Sequence, residues 1–253
     1  MTLPLNQEPQ WLDTPDGDRI AYRCLPGKGP LVLWLGGFLS DMQGAKIACL
    51  AEHCRREGWS FLCFDYFAHG ETGGDIAQAS VSRWRDNVLA VADTLTTGPV
   101  IAVGSSMGAH MLAMLIKARP GKVMAAGFLA PAADFVTALL QPSLSPEDRR
   151  QLEVSDVYMM PGYDRPAPLS KAFFEDAARH EVLNTPLAFD GPVRILHGMA
   201  DDVVPWRHGV RLMETLTSRD ARLELIKDGD HRLSRPQDLA RLLGMASELH
   251  GIV

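Results

Sequence analysis

Long apolar runs are missing from this chain of 253 residues. The longest, Leu31–Leu39 and Val123–Ala133, fall well short of the ~20 residues that span a bilayer, so no integral membrane association is expected. Positive charge is scarce as well: 25 Lys and Arg face 31 Asp and Glu, a net charge of −6, which removes the electrostatic ground for a nucleic-acid partner or an anionic surface. Cysteine is sparse. Cys24, Cys49, Cys54 and Cys63 match neither a disulfide framework nor a zinc knuckle in their spacing, and are read as reduced core thiols. The first ten residues hold neither a basic nor an apolar segment, so no secretory signal or Arg-rich presequence is visible and a reducing cytoplasm is the expected location. What the chain does have is 46% hydrophobic and 22% charged residues, enough to bury a full core, and residues 1–253 are read as one domain.

Along the chain, short and mostly apolar runs alternate with helical stretches. Trp11–Leu25 turns about Thr14-Pro15-Asp16-Gly17 as an opening hairpin, because Pro presets φ and Gly tolerates a positive one. Leu31–Leu35, Phe61–Phe64, Val100–Val103, Val123–Leu129, Val193–Leu196 and Leu223–Ile226 read as buried strands. Helices are predicted from Ser40, with Gln43 as its capping partner, to about Arg56 before Gly58, then over Val81–Leu95, Met107–Ala118, Trp206–Leu216 and Pro236–Leu249. This alternation predicts an α/β fold with a mostly parallel central sheet flanked by helices. Between 132 and 190 the rhythm breaks into a proline-bearing stretch with helices predicted near Ser145–Val154 and Ser170–His180. It is read as a helical lid insertion over one end of the sheet.

Gly104-Ser105-Ser106-Met107-Gly108 matches GxSxG where a buried strand turns directly into a helix. Such a turn strains the serine backbone and presents its hydroxyl at a helix N-terminus, where unpaired N–H groups favour developing negative charge. A serine nucleophile needs an imidazole base, itself oriented by a carboxylate, and an open parallel sheet collects such groups at the C-terminal ends of its strands. His231 follows the last strand in a polar loop and is the candidate base. His53, His110, His208 and His250 fall in or at the end of helices and are assigned packing or capping roles, and His197 a structural role beside the acid loop. His69 and His180 are candidates to line a pocket. Asp201 and Asp202, after the preceding strand, compete for the acid. Two N–H donors are needed for an oxyanion; the amides of Met107 and of Phe38, after Gly36-Gly37, are the candidates. Gly37, which allows close backbone approach, is a candidate substrate contact, and Arg85 is a candidate contact for an anionic leaving group. No histidine pair has metal-ligand spacing on a helix, so neither a metal nor another cofactor is expected.

Several stretches together resemble a known family. Gly37-Phe38-Leu39-Ser40-Asp41-Met42-Gln43-Gly44-Ala45-Lys46, Phe64-Asp65-Tyr66 leading to His69-Gly70-Glu71, Trp84-Arg85-Asp86-Asn87-Val88-Leu89, the GxSxG segment, and His197-Gly198-Met199-Ala200-Asp201-Asp202-Val203-Val204-Pro205-Trp206 are similar to the α/β-hydrolases. Within them they resemble the mitochondrial abhydrolase-domain enzymes that act as palmitoyl-protein thioesterases and acyl-glucuronide esterases. The resemblance implies an α/β-hydrolase fold, a triad of Ser106, Asp201 and His231, with HGxxDxxVP favouring Asp201 over Asp202, and hydrolysis of esters or thioesters. Here Gly36-Gly37 replaces the His-Gly of many members. The expected substrate is a small-molecule ester or acyl thioester, or an acylated protein. A serine peptidase and a non-catalytic ligand-binding protein on the same scaffold stand as alternatives.

Overall fold

The computed structural model describes residues 8–161 and 166–253; the N-terminal residues on which the reading of targeting rested lie mostly outside them, as do four residues of the expected lid. The opening hairpin is β1 (Gln10–Asp13) and β2 (Arg19–Leu25), followed by β3 (Lys28–Leu35), α1 (Ala45–Glu57), β4 (Trp59–Phe64), α2 (Val81–Leu95), β5 (Val100–Ser105), α3 (Met107–Ala118) and β6 (Val123–Leu129). After residues 130–192 come β9 (Val193–Gly198), α7 (Trp206–Thr215), β10 (Ala221–Ile226) and α8 (Pro236–Ile252). The intervening stretch holds a π-helical segment Phe135–Leu140 running into one turn, α4 (Gln141–Ser143), then α5 (Pro146–Ser155), an antiparallel pair β7 (Val157–Met160) and β8 (Ala167–Ser170), and α6 (Lys171–Ala177).

Eight strands form one sheet in the order β1-β2-β4-β3-β5-β6-β9-β10, antiparallel where β2 meets β1 and β4 and parallel from β4 onward. The uninterrupted apolar runs follow from burial on both faces. Leu33, Leu35, Val100 and Ala102 point into a core shared with α2, α3 and α7, while Val32, Trp34, Ile101 and Val103 point into a second core beneath α1 and α8. Chain order reverses between β3 and β5: β4 lies on one side of β3, and β5 and β6 on the other. The crevice at the carboxyl ends of these two strands is where an open α/β sheet binds ligands.

Helix α1 begins later than its sequence predicts. Ser40 is no cap: its hydroxyl donates to the Gly37 carbonyl at 2.7 Å, Asp41 Oδ1 accepts the Gln43 amide at 2.8 Å, and the N-cap is Gly44 without a side-chain bond. Gly58 closes the helix as expected, at φ 73 with its N–H on the Arg55 and Cys54 carbonyls. All four cysteines are free, but only Cys54 and Cys63 are buried; Cys24 is exposed. Burial pushes the Cys54 thiol up to about 12. Among the described residues no helix is long and apolar enough to cross a membrane.

Candidate active site

The turn from β5 into α3 holds Ser106 at φ 53 and ψ −118, outside the regions an L-residue prefers. It exists because two neighbours lack side chains: a Cβ on Gly104 would lie 2.4 Å from the Gly108 carbonyl oxygen, and one on Gly108 2.1 Å from that of Leu35. The strained backbone is fastened by bonds on both sides. Ser106 N–H donates to Leu129 O at 2.9 Å, and its own carbonyl accepts the amides of Ala109 and Ala132 at 2.9 and 3.1 Å. Its hydroxyl makes no capping bond to α3 and is left to face the crevice.

Register places the turn after β3 against this elbow, Leu35 pairing with Gly104. A Cβ on Gly37 would lie 3.4 Å from Ser106 Cβ. The N–H groups of Phe38 and of Met107, the first residue of α3, are engaged by no other described residue. The Phe38 ring is wedged edge-on against Trp84 and His69, with ring centroids 5.8 and 6.0 Å away. Buried Asp65, at the end of β4, ties the following segment down by accepting the Met42 amide at 2.9 Å and the Glu71 amide at 2.8 Å. Burial pushes its carboxyl up to about 6 in spite of those donors.

Across the crevice, His231 Nε2 lies 3.1 Å from Ser106 Oγ and is placed to accept its proton; His231 Nδ1 donates to Asp201 Oδ2 at 2.8 Å. Three side chains from three loops thus form one hydrogen-bonded line. The Asp201 side chain has no exposed surface, and its other oxygen accepts the amides of Val203 and Val204 at 2.9 and 2.7 Å. Burial alone would raise its pKa, but hydrogen bonds from His197 and His231 and the Val204 amide outweigh it and hold the carboxyl well below its usual range. His197 donates from Nε2 to the Val204 carbonyl at 3.0 Å, bracing the acid loop from beneath. Asp202 is exposed. The acid and histidine loops also lock together: Ala200 N–H donates to Gly229 O at 2.9 Å, and a Cβ on Gly198 would meet that same oxygen at 2.1 Å.

Ser106, His231, Phe38 and Met107 open onto a cavity of about 660 Å³, walled mainly by apolar side chains that include Phe135, Leu139, Leu140, Met160 and Val203. Four of the expected pocket contacts, Gly37, His69, His180 and Arg85, are not in its wall; Gly37 packs against Ser106 Cβ instead. His69 is buried behind Phe38 with Nδ1 donating to Phe67 O at 3.0 Å, and burial lowers it to about 4, so it is a neutral packing residue. Arg85 is paired with its neighbour Asp86 at 2.7 Å on α2. His180 contacts the Ser82 hydroxyl at 2.6 Å. His110 and His208 brace the stretch after β6 through the His180 and Ala133 carbonyls. One residue that braces the site, Asp65, escaped sequence reasoning; its signal was an acid placed directly after the apolar run of β4.

The sequence matches the alpha/beta hydrolase family over residues 31–242. It is 34% identical over 242 residues to the rat palmitoyl-protein thioesterase ABHD10, mitochondrial, covering 94% of this chain and 81% of the rat protein. Among solved structures, mouse alpha/beta hydrolase domain-containing protein 10 superposes with a TM-score of 0.88 at 33% identity, covering 96% of this chain and 98% of the mouse chain. A putative hydrolase from Agrobacterium vitis S4 does so with a TM-score of 0.90 at 34% identity, with the same two coverages. The cytoplasmic location expected from the first ten residues is overturned by these curated relatives, which are named mitochondrial.

Proposed function

The chain belongs to the alpha/beta hydrolase family, and from that premise we propose that it is a serine hydrolase cleaving carboxylic esters or thioesters through an acyl-enzyme on Ser106. The observation that carries this reading is the line Ser106 Oγ, His231 Nε2, His231 Nδ1, Asp201 Oδ2, with gaps of 3.1 and 2.8 Å. In the reaction His231 takes the hydroxyl proton as Oγ attacks the acyl carbonyl. Asp201, kept ionised by its donors, fixes the imidazole tautomer and stabilises the imidazolium that forms. The developing oxyanion is received by the N–H groups of Phe38 and Met107. His231 then gives its proton to the leaving alkoxide or thiolate, and a water activated by the same imidazole releases the acid. Apart from the hydrolytic water, each step uses groups of this chain.

The cavity, in the ordinary size range for small-molecule sites, supports an apolar acyl group as the part held. The rat and human relatives are named palmitoyl-protein thioesterases, which supports a long-chain thioester, of a small molecule or an acylated protein, as the substrate class. Within a single domain, residues 132–190 act as the lid that supplies Phe135, Leu139, Leu140 and Met160 to the acyl site. The test is labelling with a fluorophosphonate probe together with hydrolysis of p-nitrophenyl esters and acyl thioesters. The wild type labels at Ser106, and Ser106→Ala loses about 10⁵–10⁶-fold in kcat with an unchanged fold. Full turnover by Ser106→Ala would refute the assignment.

A further inference from the structure

His231 sits on the connection between β10 and α8, residues 227–235, and each of the other two reacting groups reaches it from a different loop. Within the connection, Gly229 N–H donates to Ile226 O at 3.0 Å, the Leu233 amide to Asp230 Oδ1 at 2.9 Å, the Ser234 hydroxyl to the Arg232 carbonyl at 3.0 Å, and Arg235 pairs with Asp228; on the acid side Ala200 N–H donates to the Gly229 carbonyl. From across the crevice comes Lys46, whose ammonium donates to the Arg232 carbonyl at 2.5 Å. We propose that Lys46 is a positioning residue for His231, pinning the base-bearing loop to the helix that follows the Phe38 turn. The inference rests on the reading of Ser106 and His231 as nucleophile and base.

The argument is one of placement. Lys46 lies in the first turn of α1, eight positions after Phe38, so the ammonium links the element that presents one oxyanion donor to the residue immediately after the imidazole. Burial lowers its pKa, the charge of Asp230, immediately before the imidazole, works to raise it, and that of Arg232, immediately after, works to lower it; the ammonium thus lies near groups on both sides of His231. Nε2 must stay within hydrogen-bond reach of Oγ while it collects one proton and delivers it elsewhere, and a displacement of about 1 Å costs on the order of 100-fold in rate. A charged hydrogen bond spanning 186 positions of sequence fixes that distance without touching the acyl cavity.

The experiment compares wild type, Lys46→Met and Lys46→Arg for the rate of fluorophosphonate labelling, kcat and KM on a p-nitrophenyl ester, and thermal midpoint. Lys46→Met lowers labelling and kcat by about 10–100-fold, leaves KM within about twofold and the midpoint nearly unchanged, and Lys46→Arg, which keeps a cationic donor, recovers most of the rate. If Lys46→Met does not fold, Lys46→Ala, which also removes the donor, takes its place in the comparison. A folded neutral variant that labels as fast as wild type overturns the proposal, as does a fall in kcat matched by a rise in KM that Arg does not rescue. Absence of labelling in wild type instead overturns the proposed function itself, so the two failures are distinct.

Discussion

At the strand ends, Ser106, Asp201 and His231 are held by backbone amides and carbonyls at fixed distances, whereas residues 131–192 rest on the sheet mainly through side chains. Phe173 meets Trp84 edge-on at 5.6 Å and Phe174 at 5.8 Å, with Tyr158 and Leu169 buried beside them. Hydrogen bonds also tie this segment down, His110 and His208 donating to the His180 and Ala133 carbonyls, Asp176 accepting the Ser82 amide at 2.8 Å and the Leu187 amide donating to Thr215 O at 2.9 Å, but the side chains of Phe135, Leu139, Leu140 and Met160 that wall the cavity have no group to make one. Hydrogen bonds are directional and apolar contacts are not. The strand ends therefore fix angles and distances, and the apolar side chains of the cavity wall fix only the shape and polarity of a space. Chemistry and selectivity are assigned to parts of the molecule that are built differently.

That contrast can be broken by changes confined to one region. Asp201→Asn leaves the loop nearly isosteric but removes the charge that orients His231, and it lowers kcat about 10³–10⁴-fold with little change in KM; steady-state kinetics on a short ester checks it. A loss below tenfold would show the rim to be less tightly organised than its hydrogen bonds indicate. In the covering segment, Leu139→Trp fills part of the cavity, so kcat/KM falls about tenfold for long acyl chains and hardly at all for acetyl or butyryl esters. An equal fall across the whole chain-length series would mean that the segment governs the chemistry as well. The smallest effect is on stability. As pH falls from 7 to 5, folded Asp65, pushed up to about 6, takes up a proton that the unfolded chain, with a carboxyl near 3.8, does not. Stability rises by about 1 kcal/mol from this group, and the rise is missing in Asp65→Asn when the two are compared by urea unfolding. Asp201 adds nothing in this window, its stabilisation being lost only below the unfolded value, whereas His69, held neutral to about 4, costs stability as the unfolded imidazole protonates; the Asp65 contribution is therefore read as the difference between the two proteins.

The same contrast sorts what could be read in advance. Strands β3, β5 and β6 were legible because burial on two faces writes a continuous apolar run, and the elbow because Gly104 and Gly108 stand two residues either side of Ser106. The start of α1 was not, since Ser40 and Gln43 have the spacing of a capping box while Ser40 serves the Gly37 carbonyl instead. In the covering segment the pair β7 and β8 went unread: Pro168 argues against a strand, and only the isolated two-stranded setting accommodates it. The π-helical segment Phe135–Leu140 leaves no periodic trace in sequence at all. His69 was expected to line a pocket because nothing local reveals that Phe38, Tyr66 and Trp84 close around it.

Strands β6 and β9 are direct neighbours, Ala126 opposite Val193 and Leu129 opposite Leu196, although some sixty residues separate them in the chain. The excursion thus departs and returns through adjoining positions of one uninterrupted ladder, like a cartridge seated in a socket. Relatives with a different excursion at this joint would keep the same reacting geometry while accepting other acyl groups, and swapping the whole piece between them is the natural route to new specificity.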